Sequence, residues 1–196
     1  FDPAPAFDPA PAFETEPFET EPFDAGPPDA GPPEWAPDPA TRVLDTNAEL
    51  LFADDAEVQK VRAAMFDPFE YLMRRHRAGL LRTDFGQSLG KVSYHVACHL
   101  RVQNLGLKTR DVLALVPGTQ VEPIERCSGH DGTYGVKTEF RAASVKIATP
   151  VAEQVGAGGA DHFCSDCPMA GAQVAGLANR SDHPHPIELL RQAYGI

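Results

Sequence analysis

After Gly90 the chain switches repeatedly between two hydrophobic periods, and this alternation narrows the fold more than any other feature. KVSYHVAC (91–98), TQVEPIERC (119–127) and ADHFC (160–164) are short runs rich in β formers, which read as three strands. Helical patterns separate and follow them. One covers 107–116 and is closed by Pro117-Gly118. A longer one spans about 136–155, with Phe140, Ala143, Ile147, Val151 and Val155 on one face and Pro150 expected to kink it. CPMAGAQVAGLA (167–178) and HPIELLRQAYG (185–195) complete the series. Repeated strand and helix predict right-handed crossovers and an α/β fold, a parallel sheet with helices on both faces.

Upstream, Asp54-Asp55 precedes apolar positions Val58, Val61 and Met65, a helical pattern. Asp67-Pro68 reads as a cap followed by proline at the first helical position, opening a second helix through Phe69, Leu72 and Met73 towards Leu80. The expected organisation is an arm (1–40), a helical linker segment (41–88) and the α/β domain (89–196).

The arm differs in kind from the rest. Residues 1–40 hold ten of the 28 acidic residues, no Lys or Arg, and twelve of the nineteen prolines. The net charge of −11 therefore belongs almost wholly to the arm. FDPAPA occurs at 1–6 and 7–12, FETEP at 13–17 and 18–22, and DAGPP at 24–28 and 29–33. Proline at this density favours extended conformers, and the acids repel one another. One reading is a solvated linker. The other is a docking segment whose Phe1, Phe7, Phe13, Phe18 and Phe23 fill successive pockets on a partner. The near-neutral body has no electrostatic footprint for nucleic acid. No apolar stretch approaches the ~20 residues of a spanning helix. An acidic N-terminus without an apolar core is not a secretory signal, so a cytoplasmic setting is expected.

Four cysteines, Cys98, Cys127, Cys164 and Cys167, follow the spacing C-x28-C-x36-C-x2-C. Three end predicted strands, and Cys167 opens the next predicted helix. The carboxyl edge of an open parallel sheet is where ligands bind, so the four thiols are expected to converge there. In a reducing compartment such a set suits an iron–sulfur cluster or a tetrahedral Zn2+. Two other readings stay open: a metal-free thiol–disulfide pair in Cys164-Ser-Asp-Cys167, and inert buried cysteines. Around them, His99, Ser128, His130 and Asp131 are candidates for hydrogen bonding or proton handling beside the sulfurs. On a strand through 91–98, His95 would face away from Cys98 as a core or supporting group. His183-Pro184-His185 reads as a turn before the last helix.

Segments YHVACHLR (94–101), ERCSGHDGTYGVK (125–137) and CSDCPMAG (164–171) resemble the cysteine-rich CCG domain. That domain occurs in heterodisulfide reductase subunits, in the C subunit of anaerobic glycerol-3-phosphate dehydrogenase and in related Fe–S oxidoreductases. FDPFEYLMRRHRAGLLRTDF (66–85) resembles the segment before it in the bacterial branch. The resemblance implies electron transfer, or reduction of a disulfide or quinone-type acceptor, by one member of a larger complex. It suggests a redox partner of rubrerythrin-like kind, and a dimer or separate subunit supplying a second cysteine-rich half. One departure bears on the metal. Cys127-Ser128-Gly129 stands where the pattern has Cys-Cys-Gly, so four cysteines remain instead of five. The resemblance with that change implies a [4Fe-4S] cluster, with Zn2+ as the alternative, on Cys98, Cys127, Cys164 and Cys167.

Overall fold

The computed structural model describes residues 54–196 apart from Asn104 and Thr133; the acidic arm and residues 41–53 lie outside the described residues. Helices α1 (Ala56–Ala64) and α2 (Pro68–Arg77) come first. Asp55 caps α1 by accepting from the Glu57 and Val58 amides. Asp67 caps α2 in a reciprocal box with Glu70, with Pro68 at the first helical position as the sequence suggests. No helix among the described residues is long and apolar enough to cross a membrane.

The sheet is three-stranded and wholly parallel: β1 (Lys91–His95) lies between β2 (Gln120–Ile124) and β3 (His162–Ser165). Short helices α3 (Cys98–Val102) and α4 (Lys108–Leu113) lead from β1 to β2. Two 3-10 turns (Tyr134–Val136, Thr138–Phe140) and the long helix α5 (Arg141–Ala157) lead from β2 to β3. Helices α6 (Pro168–Leu177) and α7 (Pro186–Tyr194) follow. His185 caps α7, again with a reciprocal glutamate, Glu188.

Register fixes which residues share a face. Val92 pairs with Val121 and His162, Tyr94 with Pro123 and Cys164, His95 with Ile124 and Ser165. Because side chains alternate, Val92, Tyr94 and Cys164 share one face. There they pack with Phe69 of α2, Val112 and Leu113 of α4, and Leu189, Leu190 and Ala193 of α7. Ile124 and Phe163 occupy the other face with Val151 and Val155 of α5 and Val174 and Ala175 of α6. Each fully buried Val, Leu or Phe contributes about 1.5–3 kcal/mol. Both faces are thus covered, as an α/β sheet requires.

Two local expectations shift. β1 stops at His95 rather than running to Cys98, since β2 and β3 end opposite it; Val96 N–H still reaches the Ile124 carbonyl at 3.0 Å, and the chain then turns into α3. Helix α5 begins at Arg141 and buries Ser144, Ala148, Val151, Ala152 and Val155, while Phe140 and Ile147 are exposed. The small residues let α5 lie close against α6, and the Ser144 hydroxyl is drawn inward by a buried carbonyl at 2.7 Å, that of Gly129.

Candidate metal centre

The strand order makes a crevice at the carboxyl edge. From β1 the chain goes outward to β2 and returns to lay β3 on the other side of β1. At such a reversal the connections leave on opposite faces and open a gap between them. A cavity of about 540 Å³ occupies this edge. Its wall takes Val96, Ala97 and Cys98 from the turn after β1 into α3, the 126–132 loop after β2, and Cys167, Met169 and Ala170 from the start of α6.

Three of the four cysteines meet this cavity: Cys98, Cys127 and Cys167. Cys98 and Cys127 are exposed and Cys167 is partly buried. Cys98 opens α3 and Cys167 is the N-cap of α6. The Gly129 amide donates to Cys127 Sγ at 3.4 Å, the kind of N–H···S contact that holds a thiolate and tunes a bound metal.

Cys164 is placed differently. It is the third residue of β3, its side chain is 0% exposed, and it packs in the apolar cluster on the Tyr94 face. Burial pushes its thiol well above the ordinary range, and the nearby Asp166 carboxylate adds to the effect. Asp166 itself accepts from Thr109 Oγ1 at 2.8 Å, and burial raises its carboxyl. Among the described residues, no three His, Cys, Asp or Glu side chains converge on a point where one metal ion could sit.

The loop after β2 is fastened from two helices. Gln173 Nε2 of α6 donates to the Ser128 carbonyl at 2.7 Å and to Ser144 Oγ at 2.8 Å, and Ser144 Oγ donates to the Gly129 carbonyl. Gly129 has φ +70°, and a Cβ there would strike the Ser144 carbonyl oxygen. Only glycine fits both demands. Ser144 and Gln173 escape the sequence reading: nothing in a helical pattern marks one polar residue as the anchor of a distant loop.

His95 is the hub beneath the cavity, which it also lines. Nε2 lies 2.9 Å from the Arg126 carbonyl, and Nδ1 lies 2.9 Å from Ser165 Oγ. A carbonyl only accepts, so Nε2 carries the hydrogen and the Ser165 hydroxyl donates to Nδ1. Ser165 Oγ in turn accepts from the Cys167 amide at 3.3 Å. Burial lowers the imidazole's pKa, and Arg101 contributes in the same direction. A neutral His95 therefore ties the loop of Cys127 to the backbone of Cys167. The turn of the chain at Val96 brings Cys98 to the same cavity as His95, where a longer strand would have put them on opposite faces.

Of the surrounding candidates, Ser128, His130 and Asp131 line the cavity, whereas exposed His99 does not. Ser128 and His130 are buried, and Asp131 is exposed with φ +32°. His130 Nε2 is buried, with no hydrogen-bond partner among the described residues. Arg101 and Arg126 also line the wall. Three cysteines and two arginines around one cavity fit a soft, anionic metal group.

Over 104 residues, 53% of its length, the chain is 35% identical to the C subunit of the anaerobic glycerol-3-phosphate dehydrogenase of Escherichia coli strain K12. The corresponding protein of Escherichia coli O157:H7 matches to the same extent. The matched stretch is 26% of each of those relatives, so the chain spans about a quarter of their length. No family profile matches the chain, and no solved structure does. The chain is thus related in sequence to the C subunit of anaerobic glycerol-3-phosphate dehydrogenase.

Proposed function

We propose that the chain is an iron–sulfur redox subunit of an oxidoreductase complex, of the kind that includes heterodisulfide reductase subunits, with its cluster seated in the cavity at the carboxyl edge of the sheet. The observation that carries this reading is the gathering of Cys98, Cys127 and Cys167, from three separate chain segments, around one cavity. Relatedness to part of a dehydrogenase supports the redox role and the place in a larger assembly. The rubrerythrin-like partner rests on the resemblance alone.

The spread of the donors favours a cluster over a single ion. Zinc holds its ligands at about 2.0–2.3 Å from one point, and the donors described here do not meet at one. A cubane presents iron at separate corners, so its cysteine ligands stand further apart. The metal-free reading needs Cys164 and Cys167 to share a disulfide. Cys164 packs in the apolar cluster of the Tyr94 face and Cys167 lines the cavity, so that pair is disfavoured.

When bound, a [4Fe-4S] cluster supplies one-electron transfer at a potential set by charge, burial and hydrogen bonds to sulfur. The chain contributes the Gly129 amide beside Cys127, the positive charge of Arg101 and Arg126, and an uncharged His95 below. The reading places the chain in a reducing, cytoplasmic setting, where clustered thiols serve as metal ligands.

Anaerobic purification with iron and acid-labile sulfide analysis tests the reading. A brown protein with roughly equal iron and sulfide is expected. A colourless chain that holds zinc, or no metal, removes it.

A further inference from the structure

We infer that Asp166 is a positioning residue: through its hydrogen bond with Thr109 it fixes where Cys167 stands relative to Cys98 at the cavity. The placement is a matter of geometry, and its bearing on a cluster rests on the redox role proposed above.

The four residues of Cys164-Ser-Asp-Cys167 leave the sheet in different directions. Cys164 enters the apolar cluster of the Tyr94 face. Ser165 ends β3 and, opposite His95, closes its ladder with β1. Beyond Ser165 the strand pairing has stopped, so side chains must place Asp166 and Cys167. Ser165 supplies one hold, since its hydroxyl bonds His95 and accepts from the Cys167 amide. Asp166 supplies the other, towards the opposite face, as alternation along the strand requires. Its Oδ1 accepts from Thr109 Oγ1 at 2.8 Å. Tyr94, only 1% exposed, meets the same carboxylate with its hydroxyl.

Thr109 is a firm post. It is the second residue of α4 and is buried, and Val112 and Leu113 of the same helix lie in the core. It also belongs to the crossover that opens with Cys98, because α3 and α4 together lead from β1 to β2. The bond from Thr109 to Asp166 therefore ties the crossover of Cys98 to the loop of Cys167. His95 does the same for the loop of Cys127, through the Arg126 carbonyl and Ser165. With both ties made, the three cysteine-bearing segments brace one another around the cavity. Neither Asp166 nor Thr109 lines that cavity, so each acts on it only through Cys167.

The test labels the full, metal-free chain with a bulky maleimide and follows Cys98, Cys127 and Cys167 separately by mass spectrometry. Thr109→Val removes the donor at nearly equal volume, Thr109→Ser keeps it, and Asp166→Ala removes the acceptor. Cys167 is expected to react about five- to tenfold faster in Thr109→Val and Asp166→Ala, as the loss of one hydrogen bond implies. Cys127 should keep its rate, and Thr109→Ser should behave as wild type. Chains reconstituted anaerobically with ferrous iron and sulfide add electron paramagnetic resonance. Its lines should broaden in Thr109→Val and sharpen again in Thr109→Ser. A bond that merely stapled α4 to the sheet would lower the melting temperature and leave the Cys167 rate, relative to Cys127, as in wild type. That result overturns the assignment. So does equal quickening of all three cysteines, a Thr109→Val chain that fails to fold, or one resonance common to every variant. A wild-type chain that takes up no iron removes the cluster reading, and the Cys167 rates then decide the role of Asp166 by themselves.

Discussion

One face of the sheet and its carboxyl edge receive cysteines from the same Cys164-Ser-Asp-Cys167 motif and treat them in opposite ways. On one face Cys164 is packed among Phe69, Val92, Tyr94 and Leu189 as a small apolar side chain. At the carboxyl edge Cys167 stands beside Cys98 and Cys127 on the wall of the cavity. The face is held by burial. The edge is held by a chain of polar contacts from the Arg126 carbonyl through His95 and Ser165 to the Cys167 amide. A cysteine's role here follows from the direction its backbone gives it, and spacing alone does not set that direction.

The contrast is broken most directly by thiol labelling of the metal-free chain. Cys98 and Cys127 should react first, and Cys164 at least about a thousandfold more slowly, since it is reached only when the domain opens. Mass spectrometry of the labelled peptides checks this; early labelling of Cys164 would dissolve the distinction between the face and the edge.

Core truncation should cost each face alike. Phe163→Ala is expected to lose roughly 3–5 kcal/mol and Leu113→Ala roughly 2–5 kcal/mol in urea unfolding, since both side chains are 0% exposed. A loss below about 1 kcal/mol at Phe163 would mean that the α5–α6 face is not packed as described.

The loop supports come next. Gly129→Ala should destabilise by about 1–3 kcal/mol, because a side chain at that φ is strained and meets the Ser144 carbonyl. Gln173→Ala should cost about 1–2 kcal/mol by removing two donated hydrogen bonds. Labelling of Cys127 by a bulky reagent should quicken in both, and an unchanged rate would show that the loop does not depend on these anchors.

The smallest effect is a pH dependence. The folded state depresses the pKa of His95, from its ordinary value of 6.5, mainly by burial. The unfolded chain then binds this proton more readily, so stability from His95 is present above about pH 6.5 and is lost as pH falls below it. His95→Gln should flatten this part of the stability–pH curve. An equally steep curve in the variant would assign the dependence to other groups.

Much of the fold is legible in the sequence. The β-rich runs and helical patterns match the three strands and most helices, and Asp67-Pro68 marks the start of α2 as its cap. Helix α3 escapes because Val96 and Ala97 continue a β-like run, and only the ends of the neighbouring strands stop β1 at His95. The buried face of α5 differs from its periodicity because the pattern weights large apolar residues, whereas close packing on α6 chose Ser144 and Ala148. Three of the four cysteine positions reach the predicted edge. Each is placed there by the end of a strand or the start of a helix, which is a coarse coordinate along the chain.

What the sequence determined by itself is the order of strands and helices, and with it a parallel sheet whose carboxyl edge collects the cysteine-bearing loops. Local periodicity, capping residues and turn residues are properties of neighbouring positions, so they can be read without a fold. Only the tertiary structure decided which side chains face the cavity. That depends on strand register and on where pairing stops, both set by residues dozens of positions away. This is why Cys164 turns into the core, and why His95, Ser144 and Gln173 become the supports of a site to which none contributes sulfur.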